Sequence, residues 1–404
     1  MIPEVHTAAG QNETPSVVYV LPDKMGGLFN FVQNLLKYRR ADGLQYHSVL
    51  TDALFSVDIR SAESLPADSQ RRCSHRMPRE NLFSVLRRLA RTIPKGPGVL
   101  VANDWIELAA SAVYDSGRTL VNITHADSDY YYDLATKHQD IIDCFVTYTE
   151  RMFGRLHELL PHRKESIFLI PYGVEIPSST RSPKPGPLRL LYVGRLDRYK
   201  GVFDLVQIDA RLRQMGVEVK WTMQGDGPDA EELKREWVTP SATVWNGIQP
   251  IEDVLRLYTQ HDVIVMPCRS EGLPVALLEA CAAGVVPVVT DLPSGIPEVV
   301  TRGVNGYRPA MGDIHGFAEA IAALDGNRAQ LESMSGLARK RVVEKFDIRD
   351  RVVDYQHLYS RWRELRRCRA GGTLHYGSRM DKRWLPNGVV FSLRSARAFF
   401  GGGL

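Results

Sequence analysis

The strongest constraint on this chain is an alternation that runs through almost its whole length. Short runs rich in Val, Ile, Leu and Tyr are each followed by a stretch whose apolar residues recur at helical spacing. In the first half the runs predicted as strands are Ser16–Leu21, Gln45–Leu50, Gly98–Ala102, Thr119–Thr124, Cys144–Thr147 and Ser166–Ile170. In the second half they are Leu188–Val193, Val219–Gln224, Ala242–Trp245, Asp262–Met266 and Val285–Thr290. Runs such as Val17-Val-Tyr-Val-Leu21 are apolar at every position, the pattern of strands covered on both faces. Gly27–Tyr38 sets Leu28, Phe31, Val32, Leu35 and Leu36 on one helical face. Strand–helix alternation of this kind predicts an α/β protein with parallel sheets and helices on both sides.

A length of 404 residues suggests two or three domains. The run Pro177-Ser-Ser-Thr-Arg-Ser-Pro-Lys-Pro-Gly-Pro187 can continue neither a strand nor a helix, so a hinge is placed there. Two α/β domains about a hinge would leave a cleft, and ligands of such sheets bind beyond the carboxyl ends of the strands. After Asp347 a long helix is expected over Arg351–Leu365, then a basic tail. No apolar run is long enough to span a bilayer; the best, Leu273–Thr290, is interrupted by Glu279 and Pro287. Met1–Pro15 is polar and unlike a secretory leader. Cys73, Cys144, Cys268, Cys281 and Cys368 are scattered without a C-x-x-C pair, which suits a reducing compartment better than disulfides or zinc. A cytoplasmic protein is the expectation.

Charge is unevenly placed. From Arg361 to Leu404 ten Lys or Arg stand against two acids, which leaves residues 1–360 at −4 out of a net +4. A second basic stretch carries Arg71, Arg72, Arg76, Arg79, Arg87, Arg88, Arg91 and Lys95 around the single acid Glu80. Such patches attract anionic surfaces.

The most informative stretch is Glu271-Gly-Leu-Pro-Val-Ala-Leu-Leu-Glu279, which follows a strand and opens a helix, with Pro274 suited to the first turn. A helix start presents unpaired N–H groups and a positive dipole end, fit for phosphate. Glu271 falls in the loop before the helix, while Glu279 is placed to accept hydrogen bonds from a ribose diol. Two acids at this spacing are more often a solvated face; the strand before them and the basic loop described next reverse that preference. That loop, Gly194-Arg-Leu-Asp-Arg-Tyr-Lys-Gly201, directly follows Leu188–Val193, and Arg195 with Lys200 would clamp a diphosphate leaving group.

In the first half Met25-Gly26-Gly27 follows a strand and opens a helix, where glycines allow close backbone approach to a phosphate or sugar; an ordinary turn explains them equally well. His125 follows the strand Thr119–Thr124 and is read as a site residue in preference to a capping or buried one. Asp104 and Asp127 are weaker candidates for an acceptor hydroxyl. Gly225-Asp-Gly-Pro-Asp-Ala230 matches G-x-G-x-x-A, yet it follows the second strand of its half and Pro228 lacks an amide N–H. It is read as the turn that starts a helix over Ala230–Trp237. The G-x-S-x-G elbow, the Walker A loop and H-E-x-x-H are missing from the sequence.

Together Gly26-Gly27, His125, Ile170-Pro-Tyr-Gly-Val174, Gly194-Arg195 through Lys200-Gly201, Gly225-Asp-Gly-Pro228, Glu271 through Glu279 and Val304-Asn-Gly-Tyr307 resemble the retaining, nucleotide-sugar-dependent glycosyltransferases of family 4. The resemblance covers roughly residues 16–365, and its specific part is the Arg–Lys pair with the two glutamates. It implies the GT-B fold: two Rossmann-like, doubly wound parallel-sheet domains facing across a cleft, with a C-terminal helix crossing back. It implies an acceptor-binding domain over 1–180, a nucleotide-sugar domain over 181–350, and a crossing helix and tail over 351–404. By the same resemblance Arg195 and Lys200 bind the donor diphosphate, Glu279 holds the ribose and Glu271 contacts the transferred sugar. Gly272 and Leu273 amides, with Gly194 and Gly225, position sugar and phosphate; Gly247 and Ile248 meet the base. Gly26 and Gly27 approach the diphosphate, and His125 contacts the sugar near its C6 hydroxyl. No metal or other cofactor is implied, because the Arg–Lys pair supplies the positive charge. Tyr172 stands where the family often has asparagine, a departure expected to matter little.

The implied partners are a nucleotide-sugar donor, UDP by default and GDP second, and a glycan or lipid-linked acceptor. An anionic membrane surface is a further expected partner, through segments 71–95 and 361–404 and peripheral to the inner face of the plasma membrane. Leu82, Val85, Leu86, Leu89 and Ile93 would form an interfacial stripe beside Arg87, Arg88 and Arg91; core packing explains it equally well. In the tail Trp384, Phe391, Phe399 and Phe400 interleave with Arg383, Arg394 and Arg397. Nucleic acid is not expected, since no recognised module accompanies the charge. The competing functions are a nucleotide-sugar epimerase of similar architecture, a non-catalytic nucleotide-sugar or glycan-binding protein and, less favoured, a paired-carboxylate glycosidase.

Overall fold

The computed structural model describes residues 14–24, 26–54, 64–237, 242–369 and 371–400, without the side chains of 398–400. Met25, most of the polar leader and the Phe399 and Phe400 side chains lie outside the described residues. The chain divides into two units. The first comprises residues up to Tyr148, Met152–Ile170 and Val352 onward; the second comprises Thr149–Arg151 and Pro171–Arg351.

In the first unit seven parallel strands are described: β1 (Ser16–Pro22), β2 (Gln45–Ala53), β3 (Ser69–His75), β4 (Gly98–Ala102), β5 (Thr119–Ile123), β6 (Cys144–Thr147) and β7 (Ile167–Leu169). Their order is β3-β2-β1-β4-β5-β6-β7. The direction of winding reverses between β1 and β4, so the loops after those two strands stand at the switch point where such sheets take ligands. One face of the sheet, with Val18, Val20, Leu100 and Leu120, packs on the helix Leu82–Thr92. The other meets the helix Gly27–Lys37 and the returning C-terminal helix Ile348–Ser360. There Phe31 meets Tyr355 edge-on with ring centroids 5.7 Å apart, and Tyr19 meets Tyr359 at 6.2 Å. The C-terminal chain therefore does cross back, with a break at Arg361 that splits the expected single helix into Ile348–Ser360 and Trp362–Leu365.

Two expectations change. Strand β3, Ser-Gln-Arg-Arg-Cys-Ser-His, carries no apolar alternation; it is an edge strand paired to β2, and only Cys73 and His75 near its end are buried, too few to give a periodic signal. The apolar stripe of the helix Leu82–Thr92 is not an interfacial surface. Leu82, Val85, Leu86 and Leu89 are each at most 1% exposed and fill the core, since burial of each such side chain is worth about 1.5–3 kcal/mol.

The second unit repeats the winding with five described strands: β8 (Leu188–Val193), β9 (Val219–Gln224), β10 (Thr243–Gly247), β11 (Val263–Met266) and β12 (Val286–Val289), in the order β10-β9-β8-β11-β12. Its switch point lies between β8 and β11. The core joins Leu188, Leu190 and Val263 to Leu205 and Ile208 of the helix Val202–Gln214 and to Phe317 and Ile321 of the helix Ile314–Gly326. The proline-rich run is tied to this unit: the Arg181 amide donates to Ala283 O at 2.8 Å, and its buried guanidinium meets Asp262 at 3.1 Å and Glu332 at 2.7 Å. Val174 exchanges backbone hydrogen bonds with Phe346 and Ile348, so the segments where the chain joins and leaves this unit are bonded to each other.

Candidate functional site

In the second unit the loops after β8 and β11 are laced together. Gly201, at φ 70°, ends the short turn Arg198–Lys200, and a Cβ there would lie 1.8 Å from Pro267 O. Only glycine satisfies both the left-handed backbone and that approach. The Arg269 amide donates to Tyr199 O at 3.1 Å, and its guanidinium reaches Asp204 at 2.8 Å. This lacing brings Lys200 Nζ onto Glu271 Oε1 as a hydrogen-bonded ion pair, at the switch point. The Lys200 amide is held by Asp197, which also meets Arg195 Nε at 3.3 Å. The Arg195 side chain is 68% exposed, with its guanidinium edge paired to Asp197 and the rest of the cation open to solvent.

Glu279 sits in the second turn of the helix Val275–Ala282 and accepts a hydrogen bond from Tyr258 Oη at 2.9 Å. Loss of hydration pushes its carboxyl up to about 7, partly offset by that bond. Tyr172 is buried close enough for the Glu279 charge to add to the rise in its own phenol pKa, so the departure noted in the sequence borders this acid. The expected glycines also converge: Gly194 N donates to Gln224 O, Gly225 N to Gly247 O, and a Cβ on Gly225 would lie 1.9 Å from Gly194 O. These are packing contacts between neighbouring loops at the strand ends. Ile248 beyond them is 68% exposed. Gly272 O accepts from Gly295 N at 2.7 Å, and a Cβ on Gly295 would meet Leu273 at 3.1 Å, which fixes the approach to the helix Val275–Ala282.

In the first unit Gly26 precedes the helix Gly27–Lys37 with no side-chain cap, and a Cβ on either Gly26 or Gly27 would meet nothing within 4 Å. The loops after β4 and β5 form one hydrogen-bonded chain. Asn103 Nδ2 donates to Val20 O at 2.7 Å, which leaves its Oδ1 to accept from His125 Nε2 at 2.8 Å. His125 Nδ1 then accepts from Tyr148 Oη, so the network assigns the Nε2–H tautomer. Burial lowers the imidazole to about 3, and the ring is neutral at physiological pH. Asp104 caps the helix Trp105–Val113 in a capping box with Glu107, and also accepts from Tyr130 Oη. Asp127 accepts from Tyr132 Oη at 2.6 Å.

Thus the structure joins Lys200 to Glu271, sets Arg195 on the same loop, and joins His125 to the segment that carries Asp104. Asn103, Tyr148, Tyr130 and Tyr258 were not anticipated. Their partners stand 21 to 26 positions away, on other strands or helices, and no local spacing signals them.

Residues 187–327 match the family model described as Glycosyl transferases group 1. Over 211 residues the chain is 31% identical to the glycogen synthase of Mycobacterium tuberculosis, covering 51% of this chain and 51% of that one. Over 170 residues it is 31% identical to the amylovoran biosynthesis glycosyltransferase AmsK of Erwinia amylovora, covering 40% and 42% respectively. The chain matches only about half the length of these curated relatives. Among solved structures, Anabaena HepE in complex with UDP and glucose superposes with a TM-score of 0.70 at 16% identity, over 85% of this chain and 99% of that one. The likeness to HepE is one of fold. Residues 187–327 are thus similar to the group 1 glycosyl transferases, and the two parallel-sheet units of the chain have the GT-B fold.

Proposed function

We propose that the chain transfers a hexose from a nucleotide-sugar donor, UDP-linked by default and GDP-linked second, to a glycan or lipid-linked acceptor with retention of anomeric configuration, in polysaccharide or glycolipid biosynthesis. The observation that carries this reading is the Lys200–Glu271 pair at the switch point of the second sheet, with Arg195 on the same loop. In the ligand-free state Glu271 compensates Lys200. An arriving diphosphate takes Glu271's place as the partner of Lys200, and Arg195 swings in from solvent to complete the clamp. Glu271 is released to accept hydroxyls of the sugar, and Glu279 receives the ribose diol. As the glycosidic bond breaks, negative charge grows on the leaving phosphate, where the two cations stabilise it without reorganising. Same-face attack by the acceptor hydroxyl, deprotonated with help from that phosphate, gives retention; positioning replaces a protein nucleophile. In this reading the cations do the work of a metal, His125 contacts the sugar, and Asp104 and Asp127 serve the acceptor.

The reading draws support from HepE, solved with UDP and glucose, and from relatives named for polysaccharide synthesis. A thermal-shift panel of UDP-, GDP- and ADP-sugars tests it. A cognate donor at about 100 times its dissociation constant stabilises the fold by roughly 2.7 kcal/mol, and silence from every member overturns the reading. The anomeric signal of the product by NMR decides retention.

We also propose a peripheral cytoplasmic membrane location, carried by the tail. Trp384, Val389 and Leu393 are exposed there near Lys382, Arg383 and Arg397. No helix among the described residues is long and apolar enough to cross a membrane. Co-flotation with phosphatidylglycerol vesicles but not with phosphatidylcholine vesicles is expected; equal behaviour with both removes this part.

A further inference from the structure

The tail beyond Arg366 lies outside the family resemblance, yet it is bound to the first unit along an ordered path. At the amino-terminal edge of the sheet the Arg369 guanidinium pairs with buried Asp143 and donates to Arg118 O at 2.8 Å, while the Arg367 amide donates to Asp143 Oδ1 at 2.9 Å. The chain then runs extended: Gly372, Leu374 and Tyr376 turn inward while Gly371 and Thr373 face solvent, and the exposed His375 meets His138 edge-on at 5.2 Å. Gly372 passes so close to the helix Trp105–Val113 that a Cβ would lie 2.7 Å from Ala112 Cα and from Ile141 Cγ2. At the far end Asp381 accepts from the Leu82 amide at 2.7 Å, and Asn81 Nδ2 donates to Lys382 O and Leu385 O. The segment is a strap fastened at both ends.

Between its fastenings the strap delivers Tyr376 to the carboxyl edge of the sheet. The phenol packs against Trp105 with centroids 5.0 Å apart, stacks on His138 at 5.6 Å, and sets its hydroxyl 3.2 Å from His138 Nε2. Burial lowers His138 to about 4, so a neutral ring receives the stack. Trp105 opens the helix whose cap is Asp104. The residue before that, Asn103, holds His125. The Asn103 and Asp104 amides both end on Glu107 Oε1 at 2.7 Å. Three consecutive residues thus carry the strap contact, the acceptor candidate and the histidine's partner.

We propose that Tyr376 is a positioning residue: through Trp105 the tail strap fixes the 103–105 loop, and with it the placement of Asp104 and His125 toward the acceptor. The acceptor part rests on the glycosyltransferase reading; the mechanical part does not. Removing the ring frees Trp105 and loosens the capping box, whereas the Phe variant keeps the stack.

The test compares Tyr376→Ala and Tyr376→Phe in the full chain by hydrogen–deuterium exchange and by steady-state transfer from UDP-glucose to octyl glucoside. In the Ala variant the Asn103 and Asp104 amides should exchange about tenfold faster, while the helix Val275–Ala282 is unchanged. The KM for octyl glucoside should rise about tenfold with the KM for UDP-glucose held within about twofold, and the Phe variant should restore both. Unchanged exchange at 103–104 overturns the strap whatever the enzyme does. Faster exchange with an unaltered acceptor KM, or equal losses for donor and acceptor, overturns the positioning role. If the Ala variant does not fold, Tyr376→Leu takes its place with the same criteria. A wild-type protein that ignores every sugar nucleotide of the thermal-shift panel refutes the glycosyltransferase reading instead, and the exchange result still decides the strap.

Discussion

The two units share one winding order, yet their switch points are built from opposite materials. In the second, the loops after β8 and β11 hold a Lys–Glu pair and an exposed arginine, charges kept at the rim and compensated by one another. In the first, the loop after β4, at its switch point, and the neighbouring loop after β5 hold an amide and a neutral imidazole joined to the Tyr148 hydroxyl in a hydrogen-bonded chain, with Asp104 engaged as a helix cap. In the proposed reading an anionic leaving group calls for cations that trade their carboxylate partners for the phosphate on binding and then stay in place. A site for an uncharged hydroxyl needs fixed dipoles. In the proposed reading one winding order serves both, and the loops at the strand ends supply the difference.

The sharpest way to break this contrast is Lys200→Ala. Turnover should fall about 10²–10³-fold, the size typical of losing one charge-stabilising group. Acceptor KM should stay within about twofold, as steady-state kinetics will show; an equal loss in both contradicts a role confined to the leaving group. Next in size is Asn103→Ala in the first unit. It strands His125 Nε2 and should lower stability by about 1–3 kcal/mol in chemical denaturation, while UDP affinity by calorimetry is unchanged. A parallel loss of UDP affinity would show that the two switch points are not independent.

The last comparison concerns pH, and the two units should respond in opposite directions. His125 is lowered to about 3, so the unfolded chain takes up its proton first and this stabilisation fades as pH falls below about 6.5. Glu279 is raised to about 7, so the folded chain holds its proton longer, and its contribution is lost as pH rises from about 4.5 through 7. His125→Asn should flatten the acid limb of melting temperature against pH, and Glu279→Gln the limb between 5 and 7. If both limbs survive both substitutions, other groups set the profile.

Strand positions were legible wherever a run is buried on both faces, because burial demands an apolar residue at every position; β1 and β11 are of this kind. The edge strand β3 escaped since it has no second neighbour and its arginines reach solvent. In the site, Glu271 and Lys200 were legible from their places after strands, yet they stand 71 positions apart, and their contact depends on the pairing of β8 with β11. The stripe of the helix Leu82–Thr92 shows the reverse difficulty. Periodicity gave its direction, but a core and a membrane ask for the same apolar residues, and only the packing against Val18 and Leu100 separates them.

What this sequence determined by itself is therefore the local geometry: parallel strands, helix starts, and glycines where loops must pass close. Apolar period and backbone sterics act within a few residues and are written in the order of the chain. Tertiary structure alone decided that an arginine-rich tail would strap the first unit, that His125 would be neutral, and that Lys200 would meet Glu271. Each depends on groups far apart in sequence being brought out of water together, and their mutual distance, not their identity, sets charge state and contact.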